Sequence, residues 1–445
     1  MVVSKGLNAE CIMLLIGVVR TYGSEESFSI DVLSLAEKFL STKNTVIKLF
    51  QSLRQSGYVL TEEAFNSRGR GKNIYTFTQD FRDELEKDSF IKNACENDNP
   101  AIDILFKNKV VIKKSCGVDS KIMLRSSNRL FLLIFILHAD EFGVVSNLSI
   151  ADISKLMGGI SRDRFKSQLK ALYDIGVIKC HVSGVTGKEL FGKVKGKYYL
   201  NLTHQLFECK KTETSLLRLN FNIILDGIAS TEITALHLLY RSLFDFNGNY
   251  TYIGSLERFN YSTLIAESIK KVEIKKILPL FKSKALHDQL QLHLLENASE
   301  MLSNNWEVLE GGESARVITD SAWLKIVPLT KRENFEGVNS IYSDFRPFIN
   351  SLSIRIAQKY KSLMLYFFGD DFNPSKVALV PHGKYGCFTR CIEIVYNDSN
   401  KGKITDVLID NKGLVTINDS DKKSKAESLI AIKEIDKILL SHESS

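Results

Sequence analysis

Lys43, Asn44, Lys48, Gln51 and Arg54 share one face of a segment with helical periodicity. Their donors suit nucleic-acid recognition: Asn and Gln match adenine edges, while Arg and Lys match guanine or phosphates. Val46, Leu49, Phe50 and Leu53 form the apolar stripe behind them. A second set, Arg162, Lys166 and Lys170, with Ser167 alongside and Arg164 at the flank, faces away from Phe165, Leu169 and Leu172. Such residues bind without breaking bonds, so the first expectation is recognition.

Catalytic alternatives weigh less. Asp410-Asn411-Lys412, with Asp398 or Asp406, has the types to hold a divalent cation and orient water on the lysine. Asp410 to Gly413 is also a common hairpin-turn recipe, and the turn is the preferred reading. His382, Cys387 and Cys391 lack a fourth ligand at metal-site spacing, and no CxxC pair occurs. Gly369-Asp370-Asp371 reads as a helix-ending turn as readily as an acidic site. No phosphate-binding GxxxxGK[ST] loop is present, nor GxGxxG, HExxH or GxSxG. No enzyme, metal or cofactor is expected.

Both recognition faces need the same supports. Val46-x3-Phe50-x2-Leu53-x3-Gly57-Tyr58-Val59 recurs as Phe165-x3-Leu169-x2-Leu172-x3-Gly176-Val177-Ile178. In each copy a helix stops at a glycine, a strand starts, and a basic hairpin follows. Asn8 is expected to cap a first helix, Asp31 a second with Leu33, Ala36, Phe39 and Leu40 inward, and Ser41 the third. In the second copy Leu130 to Ala139 reads as the first helix. Ser149 caps the next, with Ile150, Ile153, Leu156 and Met157 inward, and Ser161 caps the third.

The first hairpin carries Arg68, Arg70 and Lys72 around glycines, a narrow cationic unit suited to an A·T-rich minor groove. The second carries Lys188, Lys193 and Lys195 among Gly184, Gly187, Gly192 and Gly196. A solvated, glycine-rich hairpin tip is the plain alternative for both.

This order of helix, glycine stop, strand and basic hairpin resembles the winged-helix fold, found here twice. Tandem winged helices are similar to plasmid-type replication initiators and to winged-helix transcription regulators. The resemblance covers about 150 of 445 residues and implies double-stranded DNA as partner. In the initiator family the two modules grip successive turns of an iterated origin site. The positions that would then read DNA are Lys43, Asn44, Lys48, Gln51, Arg162, Lys166 and Lys170.

The expected class is α+β: a winged helix over 1–80, a linker over 81–125 and a second winged helix over 126–205. A helical interaction domain over 206–300 and an α+β domain over 301–445 complete it. In the last, Trp306 to Val308 and Cys387 to Tyr396 read as strands, and Ser343 to Phe368 reads as a long helix. The C-terminal half is the candidate for homodimer formation or partner sensing.

Charge follows the same division. Residues 1–207 hold 29 Lys and Arg against 22 Asp and Glu, whereas 208–445 hold 30 of each, so the net +7 lies entirely with the repeats. The longest apolar run, Leu130 to Leu137, falls far short of the roughly 18 residues a bilayer needs. Seven scattered cysteines and no apolar leader point to a reducing, cytoplasmic and nucleoid-associated protein. The leading reading is a sequence-specific DNA-binding regulator of transcription. The alternatives are a replication initiator of a plasmid, phage or other mobile element, and a DNA-targeted nuclease or defence effector.

Overall fold

The computed structural model describes residues 5–64, 72–107, 111–112, 122–187, 190–207, 214–221, 232–243, 277–283, 286–310, 340–381, 391–397, 404–409 and 415–419. The protein is mixed α+β, and its internal contacts divide it into two units. Met1–Lys179 with Tyr199–Lys210 forms the first; Cys180–Tyr198 with Lys211–Ser445 forms the second.

The first unit begins with α1 (Ala9–Tyr22), where Asn8 Oδ1 accepts from the Cys11 amide at 2.9 Å and Gly23 ends the helix at φ +75°. Strand β1 (Phe28–Ile30) leads to α2 (Val32–Lys38) and α3 (Lys43–Gln55). Thr42, not Ser41, caps α3, its hydroxyl accepting from the Thr45 amide at 3.1 Å. Two adjacent hydroxyls made the choice ambiguous, and the chain turns one residue later. Strands β2 (Val59–Ala64) and β3 (Lys72–Phe77) complete an antiparallel sheet ordered β1-β3-β2. Phe50 of α3 lies 4.1 Å from Tyr75, ring to ring, and Phe28 stacks 5.4 Å from Tyr75, so aromatic packing fixes α3 on its sheet.

The expected linker is helical and packed. α4 (Gln79–Lys87), α5 (Ser89–Glu96) and α6 (Pro100–Phe106) bury Phe81, Ile91, Ala94, Ile102 and Leu105 completely. The charged surface of this segment concealed an apolar position every three or four residues. Strands β4 (Val111–Ile112) and β5 (Ile122–Met123) pair before α7 (Ser126–His138).

The second repeat continues with β6 (Val144–Val145), α8 (Ile150–Leu156) and α9 (Arg162–Asp174). A capping box joins Ser149 and Asp152 at the start of α8, and Ser161 caps α9. Strands β7 (Ile178–Val182), β8 (Val185–Thr186), β9 (Lys193–Val194) and β10 (Lys197–Leu200) follow. They form a sheet ordered β6-β10-β7 and a β8-β9 ribbon. Leu33 and Ile150, expected inside, are exposed instead. Each sits in the first turn of its helix, before the face that meets the core.

The two repeats pack reciprocally within this unit. α1 lies against α7, the first helix of one repeat on the first helix of the other. Near the start of α7, Arg129 donates to Phe39 O at 2.7 Å and Leu40 O at 3.3 Å, in the α2–α3 turn. It also donates to Leu105 O at 3.0 Å. In the converse contact, Gly158 in the α8–α9 turn abuts Leu7 and Asn8 at the start of α1. A Cβ on Gly158 would lie 2.2 Å from Leu7 O. Turn meets helix start in both directions.

In the second unit, β11 (Thr214–Phe221) precedes α10 (Glu232–Leu243), α11 (His287–Asn304) and α12 (Ser340–Phe368). Strands β12 (Lys376–Pro381), β13 (Cys391–Asn397), β14 (Ile404–Ile409) and β15 (Val415–Asp419) follow. The sheet order is β12-β13-β11-β14-β15, so a strand from the expected helical region is the central one. It runs parallel to β14 and antiparallel to β13. Edge strand β12 is covered by α11, whose Ser303 and Ser299 hydroxyls accept from the Val377 and Leu379 amides at 2.9 and 2.8 Å. Trp306 to Val308 is not a strand. Glu307–Glu310 is a 3-10 turn, and Lys361 Nζ donates to Trp306 O at 2.7 Å.

Two stability effects follow from the reciprocal contacts. Arg129→Leu strands the buried carbonyls of Phe39 and Leu105 and is expected to cost about 3 kcal/mol, at about 1–3 kcal/mol for each unsatisfied group. Gly159→Ala meets open space and carries only its φ of +85°, costing about 1–2 kcal/mol. Gly158→Ala adds a collision with backbone and is expected to cost distinctly more. Urea midpoints at unchanged slope measure all three, and equal losses at the two glycines would refute the turn-to-helix contact.

Candidate nucleic-acid interface

The α3 residues named from sequence share one solvent face: Lys43, Asn44, Lys48, Gln51 and Arg54 are all exposed. Val46, Leu49, Phe50 and Leu53 are buried behind them. At about 100° per residue, Lys43 and Arg54 mark one margin of this face, and Lys48 lies about 140° round at the other. Between them project Asn44, Gln51 and Ile47, the last 42% exposed. Sequence reasoning missed Ile47 because it looked for polar donors. The available signal was an isoleucine lying off the apolar stripe.

On α9, Arg162, Lys166 and Lys170 are exposed as expected, with Asp163, Arg164 and Ser167 beside them. Phe165, Leu169 and Leu172 face inward, joined by Gln168. Asp163 lies on the same face, an acid among the cations. No hydrogen bond or ion pair among the described residues engages Lys43, Asn44, Gln51, Asp163, Lys166 or Lys170 through its side chain. Both faces therefore present unspent donors and acceptors.

The hairpins diverge. In the first, Lys72 is exposed at the start of β3, and Arg68 and Arg70 lie outside the described residues. The second differs from the expected free basic wing. Lys193 and Lys195 are exposed, and Lys188 lies outside the described residues. Yet Leu190 and Phe191 near the tip are buried. Phe191, at φ +68°, packs edge-on to His293 of α11 with ring centroids 6.2 Å apart. Gln289 Nε2 donates to Ser183 O at 2.7 Å, and Lys197 pairs with Glu296. The legible clue was Leu190-Phe191, an apolar pair within a polar, glycine-rich loop. Glycine serves close approach here: a Cβ on Gly184 would lie 2.5 Å from Val194 O.

Asp398, Asp410 to Gly413, His382 and Cys387 lie outside the described residues. Gly369 takes φ +94° and donates to Leu365 O at 2.7 Å, with Asp370 and Asp371 exposed, as a helix-ending turn requires. No group of three or more His, Cys, Asp or Glu among the described residues could hold a metal. Burial pushes the Cys95 thiol up to about 12 and raises that of Cys11, which favours their neutral forms. No helix of the described residues is long and apolar enough to cross a membrane.

No protein-family model matches the chain, and no curated protein matches it. A functional reading therefore rests on the geometry and chemistry of these faces.

The docked hairpin has a pH dependence of its own. His181 stacks on Tyr198 with centroids 4.5 Å apart, and burial pulls its imidazole down to about 4 from 6.5. Between these values the unfolded chain binds a proton that the folded chain refuses. The stabilisation is thus fully present above pH 6.5 and is lost as the pH falls to 4, about 3 kcal/mol in all. Urea unfolding of wild type and His181→Phe across that range is expected to show a shallower pH slope in the variant. Equal slopes would refute the assignment.

Proposed function

We propose that this protein is a sequence-specific regulator that binds double-stranded DNA through two winged helices, with α3 and α9 as the recognition helices. The observation that carries the reading is the reciprocal packing of the repeats, because it turns two exposed polar helices into one rigid reader. The element order supports it: helix, strand, two helices and a hairpin, with the third helix solvent-facing in each repeat.

Such reciprocal packing would present the two helices to the duplex in opposed orientation, as a symmetric dimer does. Here one chain supplies both halves, so the expected site is a bipartite element with opposed halves about one helical turn apart. Lys43, Lys48 and Arg54, at the margins of α3, are suited to phosphates, and Lys72 to the backbone beside the first wing. Lys193 and Lys195 are exposed on the second hairpin, whose tip is docked. The second unit serves as the candidate for oligomerisation or partner sensing.

Selecting bound duplexes from a random pool with the full chain, then footprinting the winner at two salt concentrations, tests this reading. A defined site protected across two successive major grooves is expected. Lys48→Ala and Arg54→Ala should weaken all sequences alike, each reducing the slope of log affinity against log salt by about 1. Isolated sites at promoters would favour the regulator, whereas tandem copies in direct repeat would favour a replication initiator of a mobile element. A pool without enrichment would overturn sequence-specific recognition.

A further inference from the structure

The recognition faces of α3 and α9 are built alike but carry opposite chemistry. Aligning the repeats on their glycine stops sets Asn44 against Asp163, Ile47 against Lys166, and Gln51 against Lys170. In both helices these positions project at about 100°, 40° and 80° from the first helical residue, the middle of the exposed arc. All six are solvent-facing. A side chain in mid-face reaches base edges, whereas one at the margin reaches the phosphate walls of the groove.

The α3 trio is two carboxamides and an aliphatic group. A carboxamide hydrogen-bonds adenine N6 and N7 bidentately, and an apolar side chain meets the thymine methyl. Ile47 lies off the apolar stripe of α3 and is 42% exposed. The α9 trio is two lysines and an aspartate. Lysine donates to guanine O6 and N7, and a carboxylate accepts from cytosine N4. Asp163 argues against a plain phosphate grip, because a carboxylate in mid-face would repel the backbone it was meant to hold.

We infer that α3 reads A·T pairs through Asn44, Ile47 and Gln51, while α9 reads G·C pairs through Asp163, Lys166 and Lys170. The target is then a composite of two opposed and unlike half-sites. The assignment rests on the proposed reading of both helices as major-groove readers. A chain with this division has no use for a perfect palindrome, although its repeats pack reciprocally.

The test begins with the duplex selected by the full-length chain. One A·T half and one G·C half are expected. Gln51→Ala should flatten preference only in the A·T half, and Asp163→Ala only in the G·C half, each costing about tenfold to a hundredfold against the preferred base. Replacing thymine by deoxyuridine throughout the A·T half removes methyl groups and nothing else. It should weaken wild type about fourfold, the worth of one buried methyl group, and leave Ile47→Ala indifferent. This arm also works with the unaltered protein, so no failure of a variant to fold can mask the answer. Two halves of like composition, cross-talk between one helix and the other half, or equal binding of deoxyuridine duplex by wild type would overturn the inference while leaving sequence recognition intact. A pool with no enriched sequence would instead overturn the underlying reading and this assignment with it.

Discussion

A buried guanidinium holds the first unit together. Arg129 is 1% exposed, and its Nη1 and Nη2 donate to carbonyls that close a turn of the other repeat and the end of α6. Burial pulls its charge equilibrium down to about 10, still well above neutrality, so the group stays cationic where water is absent. Arginine suits this task because its planar fork satisfies several carbonyls at once and its charge is spread over the group. With Gly158 closing the converse contact, the α1–α7 pair has little freedom to slide.

Arginines elsewhere in the unit serve the same end. Arg20 Nη1 donates to Ala94 O, Cys95 O and Asn97 O at 2.8, 3.0 and 2.9 Å, closing the end of α5. Arg82 reaches Ser24 O at 2.9 Å and Phe77 O at 3.1 Å, tying α4 to the loop before β1 and to the end of β3. A net charge summed over the sequence counts these as binding potential, although their donors are committed to the fold. Among the described residues, Lys43, Lys166 and Lys170 are exposed cations whose side chains make no hydrogen bond or ion pair. The usable footprint is thus narrower than the sequence total, and more localised.

Much of the repeat architecture was legible because local chemistry and tertiary packing agree there. Asn8, Asp31, Ser149 and Ser161 cap where their side chains predict, and Gly57 and Gly176 stop α3 and α9 at φ +74° and +77°. The solvent faces of α3 and α9 were legible for the same reason, since amphipathic periodicity fixes which residues point outward. What escaped was non-local. Strand β11 became the centre of a sheet through partners about 170 and 190 residues away, and no local pattern names such partners. Helices α4 to α6 looked like a linker because their exposed faces are densely charged. The second hairpin looked like a wing because its glycines and lysines outnumber the Leu190-Phe191 pair that anchors it.

Rigidity also decides where the cost of discrimination falls under the proposed function. A reader whose two helices could pivot would accept half-sites at several spacings, adjusting the protein to the DNA. Here Arg129 and the Gly158 contact oppose such pivoting, so a mismatch in spacing has to be absorbed by twisting or bending the duplex. That deformation energy depends on base steps between the half-sites that no side chain touches. Specificity would then come from two sources at once: direct contacts under α3 and α9, and the stiffness of the untouched centre. Under that reading the side chains on the two faces would set which bases are read, and the buried core between α1 and α7 would set how far apart they must be.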